Sequence, residues 1–227
     1  MKKQQKIDLE VSFKYVVALT MVLTAVIVTS PAFSQQAPDV LAPDALVKSI
    51  STDVAAAIKR DPAIQAGDPR RIAELAETKV VPCFDFRRMT MSAMAKNWRT
   101  ATPEQQEQLT REFKTLLVST YSRALASYRD QEIAFRSPRA NDAQGSEVTV
   151  RSEIKLAGQA PTVVDYDLAK TPTGWRIFDV KVGGVSLVAA YRDNFADEVR
   201  NKGIDGLIAS LAGKNRANEA RFRATSA

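Results

Sequence analysis

The chain has 227 residues, 45% hydrophobic and 26% charged, which is enough for one sizeable core and typical of an ordinary globular protein. Histidine is absent and cysteine occurs once, which excludes Ser-His-Asp and Cys-His catalysis, an intramolecular disulfide and a structural zinc site. The formal net charge of +6 is only mildly basic, so its plainest reading is a solvated surface and not a nucleic-acid footprint.

The first residues read as an address. MKKQQK is a basic start, Tyr15 to Val28 is an apolar run, and Pro31-Ala32-Phe33-Ser34 places small residues at the minus-3 and minus-1 positions of a cleavage after Ser34. The run is shorter than the ~20 residues that span a bilayer. A cleaved secretory signal over 1–34 is expected, with an uncleaved N-terminal anchor as the alternative. Loss of that segment removes Lys2, Lys3, Lys6 and Lys14 with Asp8 and Glu10, so the charge falls from +6 to +4. Cys83, between Pro82 and Phe84, reads as a small buried apolar residue.

Residues 35–213 read as a single α+β domain, helical over 43–130, a sheet over 131–182 and helical again over 186–213, followed by a charged tail at 214–227. Leu46, Ile50, Val54 and Ile58 recur at helical spacing after Pro43. Asp68-Pro69 starts a second helix to about Val80, which Pro82 ends. Asp85 caps a short helix carrying Phe86, Met89, Met91 and Met94. Thr102-Pro103-Glu104-Gln105 is a capping box that opens the longest helix, expected to run to about Arg129.

Beyond it the apolar period changes from 3.6 to 2. Ile133 and Phe135, then Val148, Val150, Ile154 and Leu156, then Val164, Tyr166 and Leu168 alternate with polar residues, among them Asp165 and Asp167. With the strand Gly174 to Val182, this makes a twisted, mainly antiparallel four-stranded sheet with one wet and one apolar face. The last strand carries Trp175, Ile177, Phe178, Val180 and Val182, apolar in both phases, so its second face must meet protein or an apolar ligand. Gly183-Gly184 turns the chain, Ser186 caps a helix with Val188, Tyr191, Phe195 and Val199, Gly203 ends it, and Gly213 stops a short final helix.

No GxxxxGK[ST] or strand-linked GxGxxG is present, so nucleotide chemistry is not expected. One catalytic alternative survives, a small-molecule enzyme using Asp179 and Tyr166 as acid and base in a curved sheet. Asp179 shares its strand phase with Trp175 and Ile177 on simple alternation; its bland reading is a hydrogen-bonded carboxylate at a strand edge or one paired with a nearby Arg.

Val80-Val81-Pro82 with Asp85-Phe86-Arg87-Arg88-Met89, Asn97-Trp98-Arg99, Ala101 to Gln106, Thr120-Tyr121, Val150 to Ile154, Gly174-Trp175 with Asp179-Val180, Gly184 to Leu187, Tyr191-Arg192 and Gly203 to Ile208 together resemble the MlaC-type periplasmic phospholipid-binding proteins, the toluene-tolerance auxiliary family. Ala95 and Ala190 depart from that pattern, standing where Gly and Asn are expected. The resemblance implies a cone like that of nuclear transport factor 2, wrapped by helices around a deep hydrophobic cavity. It also implies a monomeric, non-enzymatic carrier without cofactor or metal and without nucleic-acid partners. Its partners would be a phospholipid ligand, an outer-membrane lipoprotein complex and an inner-membrane ABC transporter, and its role the maintenance of outer-membrane lipid asymmetry.

Each methylene buried contributes about 0.8 kcal/mol, so a sixteen-carbon chain costs on the order of 12 kcal/mol to expose, and a carrier must offset most of that with an apolar interior. The expected lining is Phe84, Phe86, Met89, Tyr121, Val148, Val150, Ile154, Val164, Tyr166, Ile177, Val185 and Tyr191. Arg88 and Arg192 are the candidates to meet a headgroup at the mouth.

Overall fold

The computed structural model describes residues 41–126, 132–136, 145–155 and 160–225; the expected signal, the end of the long helix at Arg129, and Leu156 lie outside them. The N-terminal half is helical: α1 Pro43–Arg60, α2 Pro62–Gln65, α3 Pro69–Leu75, α4 Phe86–Met94 and α5 Pro103–Ala126. In α1, α2, α3 and α5 the first residue is proline, which lacks the N–H that a helix start leaves unpaired and has φ already near helical. Asp61 and Asp68 cap α2 and α3 by accepting from the N–H groups of Ala63 and Ile64, and of Arg70 and Arg71. Asp61-Pro62, a breaker pair by residue type, is therefore a helix start. The single helix expected to Val80 is instead α3, a π-helical turn Ala76–Val80 and a 3-10 turn Val81–Cys83. Pro82 removes a donor and forces this change of pitch.

Before α5 the capping box forms in full. Gln105 N–H donates to Thr102 Oγ1 at 3.2 Å, and Thr102 N–H to Gln105 Oε1 at 3.0 Å. At the other end of α4, Ala95 has φ +48° and ψ −123°, and it is the non-glycine residue with positive φ among the described residues. The resemblance's expectation of glycine there thus has a steric reason, since a β-carbon in this region costs about 1–3 kcal/mol. Ala95→Gly is expected to stabilise the protein by about 1 kcal/mol after the larger unfolded-state entropy of glycine is subtracted, seen as a higher denaturant midpoint at unchanged slope.

The sheet is antiparallel in the order β1-β2-β3-β4-β5, with β1 Glu132–Arg136, β2 Glu147–Lys155, β3 Thr162–Thr171, β4 Gly174–Val182 and β5 Val185–Ser186. It has one strand more than expected, because Gly183 and Gly184 make a two-residue hairpin turn. Both have positive φ, +57° and +85°, as such a turn requires. Since β5 pairs only with Lys181 and Val182, the edge of β4 is left open lower down. Phe84 fills it, bridging Ile177 in parallel, while Asp85 N–H donates to Ile177 O at 2.8 Å. Asp85 then caps α4 through the Arg88 N–H, so one dipeptide fastens helical half to sheet.

The polar face carries a ladder of ion pairs: Arg136 to Glu153, Arg151 to Asp165 through two bonds of 2.6 and 2.9 Å, and Lys181 to Asp167 at 2.6 Å. Asp165, expected on the wet face, is only 9% exposed there. The Arg151 guanidinium holds its carboxyl below the usual carboxylate range against the opposing effect of burial. Its folded-state value being depressed, the stabilisation is complete above the ordinary value near 3.8 and is lost as pH falls through the lower folded value. Asp165→Asn is expected to lose stability at neutral pH and to flatten the acid limb of the stability curve below pH 4, measured by denaturant titration at several pH values.

Three apolar clusters form. The helical one centres on Met89, Met94, Leu109, Phe113, Phe195, Leu207 and Leu211; a second joins Val47 of α1 to Val148, Val150, Leu168, Trp175 and Ile177; a third holds Val54, Ile58, Ile64, Ile72 and Leu75. The final helix α6 spans Ala189–Thr225 with a non-helical break at Gly203, φ +71°. The expectation that Gly213 stops the chain's regular structure is corrected: 214–225 continues as helix. Asn215 and Asn218 account for this, donating to Glu112 O and Oε2 and to Ser119 Oγ of α5, so the segment lies on a neighbour despite its charge.

Candidate functional site

The three clusters meet around a space that none of them fills. It is a cavity of about 610 Å³, open at one end. By comparison, an apolar void of ~150 Å³ already stays dry and holds benzene. Its walls come from every layer: Val47, Ile50, Ser51 and Val54 of α1, Ala76, Val80 and Val81 of the π and 3-10 turns, and Leu117, Val118, Tyr121 and Ser122 of α5 face Ile154, Val164, Tyr166, Val180 and Val182 of the sheet. No aspartate, glutamate, lysine or arginine lines it among the described residues.

Of the expected lining, Phe84, Phe86, Met89, Tyr121, Ile154, Val164, Tyr166, Ile177 and Val185 all border the cavity. Val148 and Val150 do not. They lie on the same sheet face, but at the end where Val47, Leu168 and Trp175 pack solidly against them. Register explains the division: Val148 pairs with Leu168 at the filled end, whereas Val164 pairs with Val182 at the hollow one. Tyr191 also stands outside the lining, with its ring edge-on to Phe113 at a centroid distance of 5.0 Å and tilted against Phe195. Sequence reasoning found α1 but not its share of the lining, because Val47, Ile50 and Val54 carry the same helical stripe that a core helix would show.

The mouth is marked by lining residues that are also exposed: Tyr121 at 43%, Val182 at 52% and Val185 at 68%. The headgroup candidates do not line the cavity. Arg88 pairs with Glu147 at 2.5 Å and stacks over the Phe178 ring at 3.7 Å, and Arg192 donates to Ser92 O. Of the second apolar phase of β4, Arg88 thereby covers Phe178, while Val180 and Val182 face the cavity. Cys83, expected buried, is partly exposed, with its Sγ 3.7 Å from Lys79 O and its thiol pushed up by burial.

A bulge between Asp167 and Leu168 shifts β4, pairing Asp167 with Asp179 and Tyr166 with Val180. Cross-strand partners share a face and neighbours alternate, so Asp179 and Tyr166 point to opposite sides of the sheet. The alternation that put Asp179 with Trp175 and Ile177 is corrected by that one extra residue. Asp179 instead accepts from Val180 N–H at 2.9 Å, Val188 N–H at 3.2 Å and Ser186 Oγ at 2.5 Å, and Ser186 Oγ accepts from Ala189 N–H to cap α6. Tyr166 is raised above its usual range by burial, against a hydrogen bond with Ser152 that lowers it.

A twisted antiparallel sheet closed by helices around an open, uncharged apolar cavity is the architecture of a container for hydrophobic ligands. The chain belongs to the MlaC protein family, whose model matches residues 48–213. It is 25% identical to the intermembrane phospholipid transport system binding protein MlaC of Haemophilus influenzae over 87% of this chain and 91% of that one. With the toluene tolerance protein ttg2D of Pseudomonas putida it shares 26% over 72% of this chain and 75% of that protein. The solved structure of a phospholipid-binding protein from Ralstonia solanacearum, in complex with a phospholipid, superposes with a TM-score of 0.71 at 38% identity, covering 78% of this chain and 98% of that one.

Proposed function

We propose that the chain is an exported phospholipid carrier of the periplasm, holding acyl chains in the cavity and passing lipid between an outer-membrane lipoprotein complex and an inner-membrane ABC transporter, so maintaining outer-membrane lipid asymmetry. The observation that carries this reading is a 610 Å³ hollow walled by aliphatic and aromatic side chains and open at an apolar mouth. It falls in the ~300–1,000 Å³ range of ligand sites, and among the described residues its walls carry no charged side chain. The phospholipid complex of the Ralstonia solanacearum relative supports the ligand class, and the name of the Haemophilus influenzae relative supports the transport setting. The basic start and short apolar run at 1–34 support export.

Native mass spectrometry of the chain recovered without detergent from a Gram-negative envelope tests this. A mass that begins at Gln35 with an excess matching diacyl phospholipid, identified after organic extraction, is the expected result. An apo mass with no uptake from phospholipid vesicles would overturn the ligand. Retained lipid with no change in surface-exposed phospholipid when the gene is removed would overturn the asymmetry role alone.

A further inference from the structure

Among the described residues, five with hydroxyl groups line the cavity, and the structure accounts for most of them. Ser51 Oγ donates to Val47 O at 2.9 Å within its own helix, Ser186 Oγ donates to Asp179, and Tyr166 is pushed up in its ionisation by burial in the wall. Ser122 is sunk in the α5 wall at 3% exposure. Tyr121 alone combines a place on the lining with 43% exposure at the mouth.

Its position is held from behind. The Tyr191 ring is wedged by Phe113 and Phe195, with centroids 5.0 and 5.8 Å away, and it neighbours Tyr121. Tyr191 ionisation is pushed up, chiefly by burial. The Tyr121 hydroxyl has one proton to give.

Resting on the reading of the cavity as a lipid site, we propose that Tyr121 sets the depth and specificity of the bound lipid. Its hydroxyl donates to an ester oxygen, phosphoryl or carboxyl, where the acyl chains join the headgroup. The protein thereby recognises the ester linkage common to glycerolipids and ignores headgroup charge. An amphiphile seated with its chains inward brings its first acceptor oxygens to the rim, where an apolar wall gives way to water. An uncharged donor there anchors the linkage without the desolvation cost of a buried cation and without preferring an anionic headgroup.

The test measures release of lipid from the loaded chain into excess acceptor vesicles, for wild type and Tyr121→Phe, which keeps the ring and loses the donor. With dioleoyl phosphatidylglycerol the variant should release about 3–10-fold faster, the size of one neutral hydrogen bond. The factor should be the same with phosphatidylethanolamine and phosphatidylcholine. Persistence of the factor with the diether analogue of phosphatidylglycerol assigns the phosphoryl oxygen; its persistence with dioleoylglycerol assigns the carboxyl ester. Equal release by wild type and Tyr121→Phe, or a factor that follows headgroup charge, overturns the proposal while leaving the carrier reading standing. Failure of the wild type to take up any phospholipid defeats the carrier reading and the proposal with it.

Discussion

Replacing Ser51 and Val180 together by phenylalanine is expected to empty the cavity of lipid while the protein keeps or gains stability. The two positions lie on opposing walls, α1 and β4, and both face the hollow. In a filled core, added methylenes force neighbours off their rotamers and cost about 1–3 kcal/mol. Here the rings enter space that no side chain occupies, so their apolar surface is buried at little strain. Ser51 gives up only its bond to Val47 O, made within its own helix. A ligand that loses room for about four methylenes loses on the order of 3 kcal/mol, a hundredfold or more in retention. Extraction of lipid from the purified double variant, set beside its thermal melt, checks both halves. Undiminished lipid would show that the ligand lies elsewhere, and a lowered melting temperature would show that these positions are core.

What the sequence made legible follows the range of its signals. Period 2 places Val148, Val150, Ile154 and Val164 on one face, and the structure keeps them there. The same signal is blind to position along the strand, so it did not separate Val148 and Val150, which pack under Trp175, from Ile154 and Val164, which border the hollow. Although the Asp61 cap of α2 was missed, helix starts were readable at Asp68, Asp85 and Thr102, because side-chain capping is local chemistry. Helix ends were not. Gly213 is a stop signal by propensity, but Asn215 and Asn218 bond α5 across about a hundred residues of sequence, and tertiary contact overrides it. Arg88 and Arg192 were assigned to a headgroup on type alone; their partners Glu147, Phe178 and Ser92 are distant in sequence and left no local trace.

The bulge in β4 was equally hidden, and its consequence is the second large effect expected. Asp179→Ala should destabilise the protein by about 3–5 kcal/mol, because it strips the acceptor from two backbone N–H groups and one hydroxyl at a site only 9% exposed. The loss is local in origin but reaches the mouth. Asp179 ties β4 to the Gly183-Gly184 hairpin and to the first turn of α6, the segment that supplies Val185, Ser186 and Leu187 to the lining. Asp179→Asn retains one oxygen for the two N–H groups and turns its amide toward Ser186, whose hydroxyl can accept from it as well as from Ala189. Its cost should fall to about 1 kcal/mol, similar to losing the cap in Ser186→Ala. Denaturant unfolding of the three variants gives the ranking, with alanine far below asparagine and Ser186→Ala. Lipid retained per folded molecule of the asparagine variant should match wild type, since a clasp acts through folding and not through ligand contact. A fall in retention at full stability would instead place Asp179 among the groups that touch the ligand.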